Sequence, residues 1–188
     1  MKKAGFTLLE VLIGMLLLIF VMLAFLKGIT DLNLFLKANN INKRANELAE
    51  TINFKLLSKP YDEIKNCFNS SVETGYLSRQ TNASNTTFTF TFDNKSFYNN
   101  TPYYPGHCTS CNDFYCLYCY VGEKLEPSNT ATCDSGYPIK VKYHGATLLD
   151  TLTNKEIGFV VGVSIEYQEP KTKREKYIRF LVYKKKNI

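Results

Sequence analysis

The chain has few of the residues that enzyme sites need. It contains only two histidines, His107 and His144, and neither has a serine or carboxylate partner at a recognised catalytic spacing. No glycine-rich phosphate loop and no paired-carboxylate signature occurs along its 188 residues. We therefore predict that the protein is not an enzyme and that it uses no cofactor.

A conventional secretory signal peptide is also missing. Such a peptide ends in small residues that follow its apolar run. Here Ala4 and Gly5 precede the run, and no Ala-x-Ala pattern follows it. We therefore expect the hydrophobic segment to remain in the mature protein.

That segment, residues 6–26, contains almost no polar side chain. As a helix it spans roughly 31 Å, which is the thickness of the hydrocarbon core of a bilayer. Lys2 and Lys3 precede it, and basic residues remain on the cytoplasmic side of a membrane. We predict a single-pass membrane protein whose remaining residues lie outside the cytoplasm, where disulfides form and persist.

Glu10 lies inside the apolar segment. A carboxylate deep in hydrocarbon costs about 2.5 to 3.5 kcal/mol, so such a residue normally has a partner and a function. A free α-amine is largely protonated at neutral pH and would neutralise the carboxylate.

Residues 5–13, Gly-Phe-Thr-Leu-Leu-Glu-Val-Leu-Ile, resemble the type IV prepilin signature shared by type IV pilins and type II secretion pseudopilins. The resemblance implies that a prepilin peptidase cleaves between Gly5 and Phe6 and methylates the new amine of Phe6. It also implies that the first helix packs into a filament core, where Glu10 pairs with the N-terminal amine of a neighbouring subunit. The amine of Phe6 in the same chain, one helical turn away, is the competing partner.

An amphipathic helical period continues beyond this segment and predicts one helix over residues 6–59, which Pro60 ends. Period-two patterns predict strands at residues 86–93, 139–143, 159–167 and 178–182, with the last two forming a hairpin. A long helix packed on an antiparallel β-sheet is an α+β architecture. This architecture agrees with the pilin fold that the N-terminus implies.

The chain divides accordingly into four parts. These are a cytoplasmic leader at residues 1–5, a transmembrane helix or filament core at 6–26, its amphipathic continuation at 27–59, and an antiparallel head domain at 60–188 with a cysteine-rich insertion at 94–136.

All six cysteines lie in the predicted head domain: Cys67, Cys108, Cys111, Cys116, Cys119 and Cys133. Two Cys-x-x-Cys pairs invite a zinc site, but only four residues separate the pairs, whereas zinc sites usually have about a dozen or more. We expect disulfides and no metal, with the choice among 15 connectivities left open. Bonds from the insertion to Cys67 or Cys133 would attach it to the head.

Basic residues concentrate near the C-terminus of a chain whose net charge is +6: Lys171, Lys173, Arg174, Lys176, Arg179 and Lys184 to Lys186. We interpret them as the protection of a solvated edge strand, because lysine prevents edge-to-edge pairing of sheets. A surface for phosphate, anionic lipid or an acidic partner is the alternative.

The insertion is rich in tyrosine: Tyr98, Tyr103, Tyr104, Tyr115, Tyr118 and Tyr120. Exposed tyrosines beside basic strands would stack on the bases of DNA. We favour instead the packing of a disulfide-linked loop.

Residues 42–52 and the closing strand pair are similar to those of minor pilins and minor pseudopilins. We therefore expect a structural minor pilin of the inner membrane, with its head in the periplasm, that joins or primes a type IV pilus at the cell surface. Its expected partners are other pilin subunits, the prepilin peptidase, the inner-membrane assembly platform and the lipid bilayer. The alternatives are a minor pseudopilin of a type II secretion system, a DNA-uptake (competence) pilin, and a membrane protein with an uncleaved anchor.

Overall fold

A computed structural model describes residues 8–68, 72–82, 85–91, 111–130, 132–150 and 153–186. Two helices come first in the chain, α1 (Leu8–Ser58) and α2 (Tyr61–Cys67). Seven strands follow: β1 (Val72–Asn82), β2 (Asn85–Thr91), β3 (Leu117–Val121), β4 (Lys124–Ser128), β5 (Tyr137–Asp150), β6 (Glu156–Gln168) and β7 (Glu175–Lys185).

The first helix is continuous over 51 residues, which corresponds to a length of about 76 Å. It ends at Ser58, shortly before Pro60, where proline removes a helical hydrogen bond. The prediction of one long N-terminal helix is therefore confirmed. Its predicted start at Phe6 lies outside the residues that the structure describes.

Helix α2 begins directly after Pro60, whose φ of −65° suits the start of a helix. Asp62 and Glu63 lie in its first turn, where carboxylates interact favourably with the helix dipole. The sequence pattern did not predict this helix, because seven residues are too few to establish a period.

The sheet is organised around β5, its longest strand. One edge of β5 pairs antiparallel with β6, which in turn pairs with β7. The other edge is shared, since β3 pairs with residues 137–140 and β1 pairs with residues 145–150. Strand β4 continues the sheet beyond β3, and β2 continues it beyond β1.

The prediction of an antiparallel sheet is wrong for one pair, because β1 and β5 run parallel. Parallel neighbours need a long connection, and the chain between Asn82 and Tyr137 provides one. A period-two pattern marks a strand without marking its direction or its partner. The remaining strand pairs are antiparallel, including the predicted β6–β7 hairpin.

The predicted insertion at residues 94–136 is not irregular throughout. Its C-terminal half contains the β3–β4 hairpin, which joins the main sheet through the pairing of β3 with β5. The strands have only five residues each and contain Cys119 and Pro127, so they carry a weak strand signal. Pro127 is tolerated because β4 pairs with β3 alone among the described strands.

The core lies between the C-terminal half of α1 and one face of the sheet. Helix α1 contributes Ile41, Ala45, Leu48, Ala49, Ile52 and Leu56. The central strands contribute Ile139, Val141, Tyr143, Phe159, Val161, Val163, Ile165 and Tyr167. The alternation predicted for residues 159–167 is thus confirmed, although Val160 and Ser164 on the opposite face of β6 are buried as well.

Candidate anchoring and assembly surface

Among the described residues, the N-terminal half of α1 carries most of the large apolar side chains that are exposed. Every residue from Leu8 to Asn33 is exposed. The helix is long and apolar enough to cross a membrane, and its most apolar stretch is not buried against any other described part of the chain. A soluble environment is unfavourable for such a surface, because contiguous exposed apolar patches normally mark contact with a membrane or another protein.

The environment of α1 changes near Ala38, which is its first buried residue. From there to Leu56 the buried side chains recur at spacings of three or four residues, so one face packs on the sheet and the opposite face is solvated. The helix therefore has two parts, an apolar part that protrudes from the head and an amphipathic part that belongs to it.

Glu10 lies in the first turn of the described helix and is exposed. It is the only Asp, Glu, Lys or Arg between Leu8 and Leu26. The predicted processing residues, Gly5 and Phe6, lie outside the described part of the chain. Their predicted roles in cleavage and N-methylation therefore stay predictions.

The head contains disulfide bonds, as its cysteine content predicts. Cys67 is bonded to Cys111, and Cys119 is bonded to Cys133. Cys116 is also disulfide-bonded, whereas Cys108 lies outside the described residues. Neither described bond closes a Cys-x-x-Cys turn. The Cys67–Cys111 bond attaches the insertion to α2, whereas Cys119–Cys133 lies within the insertion.

The Cys67–Cys111 bond lies beside a cluster of three aromatic rings. Phe68 is adjacent to Cys67 in the chain, and its ring centroid lies 5.4 Å from that of Phe114 and 5.6 Å from that of Tyr143. Phe114 and Tyr143 pack edge to face at 5.6 Å. The bond therefore holds α2 and the insertion against the centre of β5, where aromatic packing adds to the apolar contacts.

A second connection between α1 and the insertion is electrostatic. Lys59, at the end of α1, places its Nζ 2.7 Å from Oδ2 of Asp113 and also contacts the carboxylate of Glu63. The hydrogen bonds to Asp113 and Glu63 raise the pKa of Lys59, and the same contact with Lys59 lowers the pKa of Asp113. Both shifts favour the charged pair, which reinforces the nearby disulfide.

Glu156, at the start of β6, is bound by two groups from α2 and one from the C-terminal segment. The Nζ of Lys65 lies 2.5 Å from Oε1, the hydroxyl of Tyr61 donates to the same oxygen, and the Nζ of Lys186 lies 3.4 Å from Oε2. Burial acts to raise the pKa of Glu156, but the hydrogen bonds from Lys65 and Tyr61 dominate and lower it to about 2. Burial and the bond to Glu156 raise the pKa of Tyr61.

Sequence reasoning did not identify this Glu156 cluster. Tyr61 and Lys65 lie 95 and 91 residues from Glu156 along the chain. No local spacing relates residues that far apart, so only the packing of α2 against β6 brings them together.

The residues considered for binding DNA or metal are the tyrosines of the insertion and the two histidines. Tyr118 and Tyr120 are 8% and 4% exposed and belong to the core, and Tyr115 packs against it. The other three tyrosines of the insertion, and His107, lie outside the described residues. His144 is buried on β5, and within the described ranges no group of three His, Cys, Asp or Glu side chains is arranged to hold a metal ion.

The basic C-terminal residues lie on β7, in the turn that precedes it and, for Lys186, directly after it. Strand β7 pairs only with β6 among the described strands, so it is an edge strand, and its lysines suit the protective role. Several of these cations make contacts within the chain. The Nζ of Lys176 lies 2.9 Å from Oε1 of Glu169, and the Nζ of Lys184 donates to the backbone oxygen of Leu57.

Comparison with protein-family models, with curated proteins and with solved structures gives no match for this chain.

Proposed function

We propose that this protein is a structural minor pilin, which is anchored in the inner membrane by α1 and then joins or primes a type IV pilus. The observation that carries the proposal is the two-part helix. Its apolar half protrudes uncovered from the head, and its amphipathic half is a structural part of the head. A helix of this kind suits a subunit that moves from a bilayer into a filament core, because both environments are apolar.

The resemblance of residues 5–13 to the prepilin signature supports the same role. In this proposal the peptidase cleaves after Gly5, Phe6 becomes the methylated N-terminus, and Glu10 pairs with the amine of a neighbouring subunit. The pilin fold is likewise part of the proposal, and it is supported by the long helix that packs on a largely antiparallel sheet.

Two alternatives share this architecture. A minor pseudopilin of a type II secretion system would have the same fold and processing. A DNA-uptake pilin is less well supported, because Tyr118 and Tyr120 are buried and because Lys184 and Lys186 contact Leu57 and Glu156 within the chain. Salt-sensitive binding of DNA by the head would favour that alternative.

The test is the intact mass of the protein under non-reducing conditions, measured separately for sheared surface filaments and for membranes. The proposal predicts a chain that starts at methylated Phe6 in the filament fraction and that has lost the hydrogens of its disulfides. A full-length chain confined to membranes would refute the proposal in favour of an uncleaved anchor.

A pair of glycine variants sharpens this test. Gly5→Val should block cleavage and leave the full-length chain in the membrane. Gly14→Val is the matched control, because a Cβ at Gly14 meets no atom within 4 Å, and it should be processed like the wild type. Equal processing of both variants would refute cleavage after Gly5.

A further inference from the structure

We propose that the turn between β6 and β7 is a lipid-contact site, in which Lys171, Lys173 and Arg174 hold the head against anionic lipid headgroups while α1 is in the bilayer. The inference rests on the membrane anchoring included in the proposed function, and it is independent of filament assembly.

Two contacts show which end of β7 lies toward the protruding apolar half of α1. The hydroxyl of Tyr167 donates to Oδ1 of Asn42 over 3.0 Å, and Tyr167 is the register partner of Lys176. At the other end of the strand, Lys184 donates to the backbone oxygen of Leu57. Strand β7 therefore runs in the same direction as α1, and the turn before it faces the protruding apolar half of the helix.

The lengths agree with this orientation. Asn42 and Leu57 are about 22 Å apart along a helix, and Lys176 and Lys184 are about 27 Å apart along a strand. The two elements therefore run nearly side by side. The turn extends about 10 Å beyond Lys176, which brings it level with residues 35–37 of α1.

At this position along the axis of α1, the turn is close enough to the membrane surface for electrostatic attraction. Residues 35–37 are about 15 Å from Leu26, the end of the predicted span, and the headgroup layer occupies about 5 to 7 Å of that distance. The remaining gap is comparable with the Debye length of about 8 Å at physiological ionic strength. Lysine and arginine side chains are long enough to reach across part of this gap.

Hydrogen bonds within the turn fix the backbone that carries the three cations. The backbone nitrogen of Lys173 donates to the oxygen of Glu169, and the nitrogen of Glu169 donates to the oxygen of Arg174, both over 2.9 Å. The carboxylate of Glu169 is bound by Lys176 and Thr172. The acidic group within the turn is thereby compensated, while Lys171, Lys173 and Arg174 are exposed.

The backbone at Lys173 adds a second observation. Its φ of 57° lies in the left-handed region, which glycine and asparagine adopt more readily than lysine. A long cationic side chain therefore stands where the backbone favours a small residue. The turn geometry therefore does not itself require lysine at this position.

The attraction acts on one side of the head. Glu123 and Asp134 are exposed near the opposite corner, which β5 and β6 separate from the turn. Arg44 on α1 donates to the backbone oxygen of Glu123, so this corner also lies at the membrane-facing end. Lys37 and Lys124 are exposed at the same corner and balance these two carboxylates, so the net attraction acts on the turn and the head should lean toward β7.

The experiment uses the full chain, which contains no tryptophan. Thr172→Trp places a single fluorophore in the turn, and Asn53→Trp places one on exposed α1 about 16 Å further from the membrane than Asn42. Each protein is reconstituted in phosphatidylcholine vesicles with or without phosphatidylglycerol. The vesicles contain a headgroup-attached nitroxide quencher, and insertion is checked by flotation.

The proposal predicts that phosphatidylglycerol increases quenching at position 172 at least about two-fold and has no such effect at position 53. The increase should disappear in about 1 M salt, where the Debye length is about 3 Å. It should also disappear when Lys171, Lys173 and Arg174 are all changed to Gln. Neutralising Lys55, Lys155 and Lys185 in the same way is the charge-matched control and should leave the increase unchanged.

Each other outcome contradicts the proposal. Equal quenching in both lipids would exclude a contact with anionic headgroups, although the proposed function would stand if the chain still floats with the vesicles. An increase that survives the triple substitution would assign the contact to another surface. A chain that does not float would refute the anchoring and, with it, both proposals.

Lys173→Asn separates the role of the side chain from folding. Asparagine suits the left-handed backbone, so the variant should unfold at the same or a higher temperature than the wild type. Its preference for vesicles with phosphatidylglycerol over vesicles without it should nevertheless fall about five-fold. Retention of the full preference would show that Lys173 does not contact lipid.

Discussion

Cys67, at the end of α2, is covalently bonded to Cys111, 44 residues further along the chain. The Cα atoms of the two residues are 5.0 Å apart, and the bond encloses β1 and β2 within one covalent loop. The second described bond, Cys119–Cys133, closes a loop of sequence separation 14. The two bonds therefore restrict the unfolded chain to different degrees.

Replacing both members of each pair with serine should reveal this difference. In the chain-entropy model, loss of the Cys67–Cys111 bond lowers the free energy of unfolding by about 4 kcal/mol, and loss of Cys119–Cys133 lowers it by about 3 kcal/mol. Urea unfolding of the purified chain in detergent, followed by circular dichroism, measures both values. An equal or reversed order would contradict the loop-length argument.

The packing of α1 on the sheet can be tested with two consecutive leucines. Leu56 is 0% exposed, whereas Leu57 is 52% exposed. Leu56→Ala should lower the free energy of unfolding by about 2 to 5 kcal/mol, because it leaves a cavity in the core. Leu57→Ala is the matched control and should change stability by no more than about 0.5 kcal/mol. Similar losses in both variants would contradict the described helix face.

Stability should depend on pH through Glu156. Its pKa is lowered to about 2 in the folded state, whereas glutamate in an unfolded chain titrates at about 4.3. The stabilising contribution is therefore fully present above the unfolded value and is lost as the pH falls toward the folded value. Glu156→Gln should cost about 1 to 2 kcal/mol near neutral pH.

This cost should shrink as the pH falls from about 5 toward 2, and little of it should remain near pH 2, where the folded wild-type carboxyl is half protonated and the unfolded one is almost fully protonated. Glu50→Gln, at an exposed position of α1, is the control and should behave like the wild type at each pH. A constant difference between wild type and Glu156→Gln across this range would exclude Glu156 as the titrating group.

The assembly role proposed for Glu10 predicts a specific defect. Glu10→Val should leave leader cleavage intact, because the cleavage site precedes it, but should reduce the fraction of protein in sheared filaments by about ten-fold or more. A factor of ten corresponds to about 1.4 kcal/mol, which is less than the cost of leaving the charged amine of the neighbouring subunit unpaired in an apolar core. Immunoblots of filament and membrane fractions measure the two effects separately.

Glu50→Val is the matched control, since it makes the same substitution on the same helix within the head. Wild-type incorporation of Glu10→Val would refute the pairing of this carboxylate with the amine of a neighbouring subunit. A defect in cleavage would instead indicate that Glu10 acts before assembly.

The strongest predictions from the sequence concern elements whose signals are local. The apolar run and the three-to-four spacing that follows it predicted one long helix, and Pro60 predicted its end within two residues of Ser58. Alternation at Phe159, Val161 and Val163 predicted a strand with one face in the core. These features depend on residues that are neighbours in the chain, so their periods are visible without a structure.

The sequence patterns missed features that depend on distant partners. They did not predict that β1 runs parallel to β5, that β3 and β4 form a hairpin within the insertion, or that Tyr61 and Lys65 meet at Glu156. The pairings of Cys67 and Cys119 were left open for the same reason, because six cysteines allow 15 connectivities.

The sequence by itself determined the two environments of α1, the position of Glu10 within the apolar run and the oxidised state expected of the cysteines, because composition and period are properties of contiguous residues. Only the tertiary structure decided which cysteines pair, which charged groups meet, and that the Lys171–Arg174 turn lies at the end of the head from which the apolar half of α1 protrudes. Those features require the helix and sheet to pack in one arrangement, which contacts between residues far apart in the chain select.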